Sequence, residues 1–141
     1  MSETRLKRPL SDADIVLRVA IVALTLATAY IHLTLGGTLF TLNAIGYLFG
    51  AVAMVIPVEI AVRYRWLIRI GLAAYAATTI AGWLIDPIYY PTAYLAKAIE
   101  VVLIALLAID SARRDGNPIE RIRHEIRSLR ARPHGPVSGR A

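Results

Sequence analysis

The chain has 141 residues, of which 57% are hydrophobic, and its formal net charge is +6. It contains no cysteine, which excludes disulfides, thiolate catalysis and cysteine-ligated zinc or iron–sulfur clusters. Because the apolar residues fall into four blocks and the positive charge is concentrated at the two ends, the composition predicts a polytopic membrane protein and no nucleic-acid partner.

The chain begins with a basic segment, residues 1–12, which we expect on the cytoplasmic side of a membrane. Ser11 and Asp14 have the spacing of a helix capping box, so the first helix is predicted to begin at Ser11. The first apolar block predicts a membrane span over about 13–36. Two glycines then break the chain before the second span.

The second and third spans, predicted over about 38–62 and 66–85, contain small residues at four-residue intervals. Such rows allow two helix backbones to approach closely, so we predict helix-packing faces here and expect the third span to be the most buried helix. Pro57 is expected to kink the far end of the second span. The predicted packing residues are Gly46, Gly50, Ala74, Thr78 and Gly82.

The fourth span, predicted over about 91–110, carries two charged residues, Lys97 and Glu100. A spacing of three places both on one face of the helix. A charge in mid-bilayer costs at least roughly 2.5–3.5 kcal/mol, so this face is predicted to point into the protein and away from lipid.

The region after the fourth span is predicted to form a cytoplasmic amphipathic helix over 113–132 and a disordered tail over 133–141. An apolar stripe on this helix lies opposite arginines, a pattern typical of a helix lying on an anionic membrane surface, although a solvated or partner-bound helix shows the same pattern. The predicted membrane-surface residues are Arg113, Arg114, Arg121, Arg123, Arg127 and Arg130.

The arginine distribution also predicts the topology. The N-terminus, the second connection and the C-terminus are basic, whereas the first and third connections carry no lysine or arginine. The positive-inside rule then places both termini in the cytoplasm. The predicted fold class is an all-α integral membrane protein, a four-span antiparallel helical bundle with a C-terminal basic amphipathic helix, and a bacterial plasma membrane suits it.

Five polar residues are predicted to lie in the outer half of the membrane, where they are candidates for a ligand site or a proton relay. At about 1.5 Å per residue, Lys97 lies about 9 Å below the outer end of its span and Glu100 lies near mid-bilayer. A protonatable glutamate near a histidine is the chemistry of a proton-coupled site. The alternative is a structural Lys97–Glu100 pair that fixes helix register. The five residues are His32, Asn43, Asp86, Lys97 and Glu100.

Other chemistries receive less support. A metal site of His32 with Asp86 or Glu100 has no spacing motif, and the charge of Lys97 opposes it. Haem held by two histidines requires a second chain, because His32 is the one histidine within a span. No catalytic serine, phosphate-binding loop or cofactor motif is present, so the sequence predicts neither an enzyme nor a cofactor.

In size and helix count the chain resembles the minimal four-helix multidrug transporters. Those proteins use a carboxylate in the first span, where this chain has His32, so the resemblance covers the architecture alone. Two functions are expected. The first is a non-enzymatic membrane subunit or assembly factor that packs against itself or against partner subunits, with anionic lipid at its cytoplasmic face. The alternative is a small proton-coupled transporter or channel.

Overall fold

In a computed structural model of the chain, the described residues are 11–87, 89–114 and 118–130. They form six helices and no strand, and four of the helices (α1, α2, α4 and α5) are long and apolar enough to span a membrane. Most of the predicted basic segment and all of the predicted disordered tail lie outside the described residues. The helices are α1 (Asp12–Leu35), α2 (Thr38–Val55), α3 (Glu59–Arg63), α4 (Arg65–Ile85), α5 (Pro91–Arg114) and α6 (Pro118–Arg130).

The start and end of α1 follow from local sequence. The Asp14 backbone N–H donates to the Ser11 hydroxyl at 3.3 Å, and the Ser11 N–H donates to the Asp14 carboxylate at 3.1 Å. This reciprocal pair confirms the predicted capping box. Gly36 and Gly37 have φ angles of +71° and +85°, a region that glycine enters without steric cost, and they separate α1 from α2.

The helix predicted over 38–62 ends earlier, at Val55, and a separate short helix, α3, covers Glu59–Arg63. Pro57 lies in the gap, and its ring and missing N–H are incompatible with an uninterrupted hydrogen-bond ladder. The proline therefore breaks the second span where the sequence predicted a kink. By contrast, α5 continues past residue 110 to Arg114.

The four long helices pack as a ring in the order α1, α2, α4, α5. Both α1 and α4 contact α2 and α5, which closes the ring. The interior is filled mainly by apolar side chains, whose removal from solvent stabilises the fold. The buried core is formed by Ile21, Ala29, Tyr47, Met54, Leu72, Ala76, Leu103 and Leu107.

The prediction that the third span is the most buried helix was wrong. In α4 only Arg69, Leu72 and Ala76 are buried, whereas α1 and α5 each bury six residues. The reason is that most of the small residues of α4, among them Ala74, Thr78 and Gly82, lie on the side that faces away from its neighbours. The outer surface of the ring is strongly apolar, with Phe49 77% and Ile85 85% exposed.

Candidate functional site

Two carboxylates on α5, Glu100 and Asp110, are completely buried at 0% exposure. A buried carboxylate is tolerated only when donors or cations surround it, so each marks a polar site inside the ring of helices. We name the first site the Glu100 cluster, formed by His32, Tyr47, Thr79, Lys97 and Glu100. We name the second the Asp110 cluster, formed by Asp14, Arg18, Arg65, Arg69, Asp110 and Arg114.

The two oxygens of Glu100 have different partners. The Tyr47 hydroxyl donates to Oε1 at 2.9 Å, and the Lys97 ammonium donates to Oε2 at 2.7 Å. Hydrogen bonds to a charged group are roughly twice as strong as neutral ones, so this arrangement stabilises the carboxylate. With Lys97 charged and Glu100 ionised, these two side chains carry no net charge.

His32 brings a third ionisable group to the same carboxylate. Its Nδ1 lies 2.8 Å from the Thr28 carbonyl oxygen, which can only accept, so Nδ1 carries the hydrogen. In the neutral ring, Nε2 then carries a lone pair and no hydrogen, and it lies 3.7 Å from Glu100 Oε1. A second proton, placed on Nε2, would turn this contact into an ion pair. The pairing of His32 with Glu100 therefore depends on protonation.

Two hydroxyls extend the network from Glu100 to α4. Tyr47 has one hydroxyl hydrogen and donates it to Glu100, so its oxygen is the acceptor in the 3.0 Å contact with the Thr79 hydroxyl. The single Thr79 hydroxyl hydrogen is then shared between the Tyr47 oxygen and the Ala76 carbonyl oxygen, which lies 2.8 Å from the Thr79 oxygen. If Glu100 were protonated, the order could reverse, with Glu100 donating to Tyr47 and Tyr47 to Thr79. The network can thus accept a proton and keep its hydrogen bonds.

Lys97 connects the cluster to its surroundings. Its ammonium donates to Glu100 and, at 3.2 Å, to the Thr79 carbonyl oxygen. The Lys97 side chain is 14% exposed, whereas those of His32 and Glu100 are 3% and 0% exposed. Of these three charged or ionisable groups, Lys97 is the one that reaches the surface of the ring.

The structure brings together three of the five residues predicted for this site: His32, Lys97 and Glu100. Asn43 lies in the next layer, where its side-chain oxygen accepts a hydrogen bond from the Tyr75 hydroxyl at 3.2 Å. The Tyr75 ring is 4.9 Å from the Tyr47 ring, centre to centre. Asn43 therefore supports the cluster through two aromatic rings.

Asp86, the fifth predicted candidate, does not join the cluster. It is exposed and forms the C-terminal cap of α4, where its backbone N–H donates to the Gly82 carbonyl oxygen. Asp86 was predicted to lie at a similar depth to the other candidates, but depth along a helix does not determine the direction in which the side chain points.

Two members of the cluster, Tyr47 and Thr79, were missed as site residues. The available signal for Tyr47 was its position one turn after Asn43 on the same face of α2, because residues four apart are neighbours on a helix. Thr79 offered no signal, since it is one of several small residues in α4. Its role depends on the rotation of α4 against α2 and α5.

The predicted packing residues divide into two groups. Gly46 and Gly50 lie where α2 meets α4: an added Cβ at Gly46 would overlap the Tyr75 hydroxyl, and one at Gly50 would lie 2.8 Å from Leu72 Cδ1. Glycine at these two positions lets the Tyr75 and Leu72 side chains of α4 lie directly against the α2 backbone. The other group is exposed on the outside of α4 and consists of Ala74, Thr78 and Gly82.

In the Asp110 cluster, arginines outnumber the carboxylates. Arg69 Nε donates to Asp110 Oδ2, and Arg114 Nε donates to Oδ1 at 2.9 Å. Asp14 lies at the rim, 3.3 Å from Arg113 NH2 and 3.7 Å from Arg114 NH2. Both oxygens of the buried carboxylate are therefore occupied by guanidinium groups.

The residues predicted to lie on the membrane surface also divide. The Arg114 side chain is only 19% exposed and belongs to the Asp110 cluster, because α5 runs four residues further than predicted. Arg113 is 48% exposed and pairs with Asp14. Arg123, Arg127 and Arg130 are exposed on α6, while the side chain of Arg121 lies outside the described residues.

Residues 11–87, 89–114 and 118–130 contain no group of three or more histidine, cysteine, aspartate or glutamate side chains placed to hold a metal ion. Comparison of the chain with protein-family models, curated proteins and solved structures gave no match in any of the three. The features of the molecule that bear on its function are the two clusters and the outer surface of the helices.

Proposed function

We propose that the chain is an integral membrane protein with four antiparallel spans, α1, α2, α4 and α5, and that both termini lie in the cytoplasm of a bacterial cell. The strongly apolar outer surface supports insertion, because monomeric soluble proteins rarely expose large continuous apolar patches. The arginine asymmetry of the connections supports the orientation. Tyr89 and Tyr90, 73% and 64% exposed between α4 and α5, suit a membrane interface.

Within this protein, we propose that the Glu100 cluster binds and releases a proton in the outer half of the bilayer, as part of a small proton-coupled transporter or channel. One observation carries the proposal: His32 Nε2 lies 3.7 Å from Glu100 Oε1 while Nδ1 is held by the Thr28 carbonyl. A structural Lys97–Glu100 pair that fixes helix register needs no such third group. The geometry therefore favours transport over the subunit function that the sequence placed first.

The proton is held at His32 Nε2. Tyr47 and Lys97 both donate to Glu100, so the carboxylate is stabilised in its ionised form and the proton binds to the histidine beside it. Protonation changes the summed charge of His32, Lys97 and Glu100 from zero to +1. An added charge in a medium of low dielectric constant is expensive, so the protonated cluster favours a helix rearrangement or the entry of an anion. Because the protonated cluster is more costly to bury than the unprotonated one, proton binding is coupled to the movement of a transported species.

Proton flux into vesicles tests the proposal. The purified protein is reconstituted in liposomes that contain a pH-sensitive dye, and a pH gradient is imposed across the membrane. We expect a protein-dependent flux that Glu100→Gln abolishes, because the neutral amide removes the ion-pair partner of His32. Asp86→Asn serves as a matched control, since it removes an acidic group at the end of α4 outside the cluster. Equal flux through the Glu100→Gln and wild-type proteins would contradict the proposal.

A second candidate function, an accessory or assembly subunit, is supported by the outer face of α4. Ala74, Thr78 and Gly82 are exposed at four-residue spacing, and the space beside Gly82 is open. Small residues in this pattern suit the docking of another membrane helix, from a second copy or from a different subunit.

The native mass of the gently extracted protein tests this second candidate. If the protein is part of a larger assembly, we expect Thr78→Leu to dissociate it, because the larger side chain keeps the partner backbone away. Ala105→Leu, at an exposed position of α5, provides the control. A monomer that retains no partner would weigh against the subunit function.

A further inference from the structure

We propose that the Asp110 cluster binds a phosphate-type anion, held by Arg18, Arg65 and Arg114 at the cytoplasmic end of the helices. The inference concerns a different site from the proton-binding cluster and does not depend on proton transport. It rests on the charge balance of the cluster, on its unused hydrogen-bond donors and on its position in the fold.

The charge balance is strongly positive. Arg18 experiences repulsion from Arg65, Arg69 and Arg114, and attraction from Asp110. The electrostatic neighbours of Arg65 are Arg69, Arg114 and Asp110. Four guanidinium groups therefore interact electrostatically with the buried carboxylate, and the second carboxylate of the cluster, Asp14, lies at the rim, 3.7 Å from Arg114 NH2. An anion placed among these arginines would relieve their mutual repulsion.

Several donor atoms in this cluster are buried and make no hydrogen bond, although one of them, Arg114 NH2, lies 3.7 Å from Asp14 Oδ2. Arg18 Nε, Arg65 Nε and Arg114 NH2 are inaccessible to solvent and have no hydrogen-bond partner in the structure. Buried donors without partners are destabilising, more so on a charged group, and native proteins satisfy most of them. Asp110 does not satisfy them: its oxygens accept from Arg69 Nε and Arg114 Nε, and from none of these three atoms.

The position of these donors indicates the kind of ligand. Arg65 opens α4 and Arg114 closes α5, while Arg18 lies in the second turn of α1, so the three side chains come from the same end of three helices. Guanidinium groups match the oxygens of phosphate in a planar, bidentate geometry. In the proposed topology this end lies at the cytoplasmic interface, where lipid phosphates are found. A lipid headgroup and a soluble phosphate share this chemistry.

Binding is tested on the full-length protein in neutral detergent. Thermal unfolding is followed while inorganic phosphate is added in one arm and phosphatidylglycerol, in mixed micelles with phosphatidylcholine, in the other. We expect saturable stabilisation by at least one of these probes. Stabilisation by the lipid alone identifies a headgroup site, and stabilisation by inorganic phosphate identifies a site for a soluble anion.

Variants locate the binding. Arg65→Gln and Arg18→Gln are expected to weaken binding about tenfold or more, because each removes a charge-assisted hydrogen bond. Arg123→Gln, which removes the same charge from an exposed position on α6, should change the affinity less than about twofold. Arg65→Lys retains the positive charge but lacks the planar, paired donors of a guanidinium group, so this variant should bind the anion with intermediate affinity.

Two outcomes would overturn the inference. The first is the absence of saturable stabilisation of the wild-type protein by either probe, a result that does not depend on whether the variants fold. The second is binding that Arg123→Gln weakens as much as Arg65→Gln does, which would indicate attraction to the net charge alone. Neither outcome would affect the proton flux expected from the Glu100 cluster.

Discussion

Glu100 and Asp110 lie ten residues apart on α5, equally buried, yet their surroundings differ in kind. At Glu100 one lysine balances one carboxylate, and the neighbouring hydroxyls are hydrogen-bonded. At Asp110 four arginines surround one carboxylate, and three of them retain buried donors without a partner. Burial therefore does not define the role of a carboxylate. In our proposals the role follows from the balance of charge and from the hydrogen-bond donors without a partner: the balanced cluster takes up a proton, and the unbalanced one takes up an anion.

The largest expected effect comes from removing the carboxylate of the unbalanced cluster. Asp110→Asn removes the buried carboxylate that accepts from both Arg69 and Arg114 and should lower the free energy of unfolding by about 3–5 kcal/mol. Glu100→Gln should cost less, about 1–2 kcal/mol, because the amide oxygen still accepts from Tyr47 and the partly exposed Lys97 can move toward solvent. Unfolding by sodium dodecyl sulfate in mixed micelles measures both values. An equal or larger loss for Glu100→Gln would contradict the distinction between the clusters.

A smaller effect is expected from the packing that supports the Glu100 cluster. Gly46→Ala should lower the free energy of unfolding by about 1–3 kcal/mol, because its Cβ would displace the Tyr75 hydroxyl from Asn43. Gly82→Ala is the matched control: its Cβ would meet no atom of the chain, so the variant should be as stable as the wild type or more so. Micelle unfolding of both variants checks this, and a destabilised Gly82→Ala protein would show that the outer face of α4 is already occupied.

The hydroxyl of Tyr47 should contribute a similar or smaller amount. Tyr47→Phe removes the donor to Glu100 and the acceptor for Thr79, and we expect a loss of about 1–3 kcal/mol. The same variant should slow proton flux, because Glu100 loses the hydroxyl that connects it to the Thr79 side chain of α4. Tyr30→Phe, at a 68% exposed position of α1, provides the control for both measurements. Unchanged stability and flux in the Tyr47→Phe protein would show that the hydroxyls contribute neither to stability nor to proton transfer.

The smallest effect has the opposite sign. The Thr28 hydroxyl is buried and has no hydrogen-bond partner, so Thr28→Val should stabilise the protein by about 0.5–1 kcal/mol. Thr25→Val is the comparison: the Thr25 hydroxyl donates to the Ile21 carbonyl oxygen at 2.7 Å, and its removal should be neutral or slightly destabilising. Thermal unfolding of the two variants distinguishes them. A destabilised Thr28→Val protein would show that this hydroxyl has a partner.

The sequence predicted the number of long helices and the identity of three cluster residues, and it did so for physical reasons. Membrane spans are set by length and apolar composition, which are local properties. His32, Lys97 and Glu100 could be predicted because ionisable groups within apolar spans are rare and must face one another. The capping box of α1 also depends only on residues three apart.

The remaining features depend on the rotation of each helix about its own axis, which the sequence specifies weakly. Asp110 and Arg69 are separated by 41 positions, and the sequence placed them at the end of one span and the start of another without pairing them. Thr79 joins the Glu100 cluster only because α4 turns that side inward. The same rotation leaves Ala74, Thr78 and Gly82 on the outside of α4 and explains why the third span is less buried than expected.

The protonation state of His32 provides the most direct test of the central claim, that the Glu100 cluster takes up a proton and the Asp110 cluster does not. Nitrogen-15 resonances of histidine report both ring nitrogens, and the chain has only three histidines, so variants lacking His124 or His134 assign the signal. Groups that face His32 are Tyr47 from α2 and Glu100, with Lys97 behind it, from α5. If the cluster takes up a proton as proposed, the His32 Nε2 signal changes from that of a bare nitrogen to that of a protonated one as the pH is lowered. Glu100→Gln should abolish this step and Asp110→Asn should leave it unchanged. A His32 Nε2 signal that does not change as the pH is lowered, or that changes identically in the Glu100→Gln protein, would contradict the account.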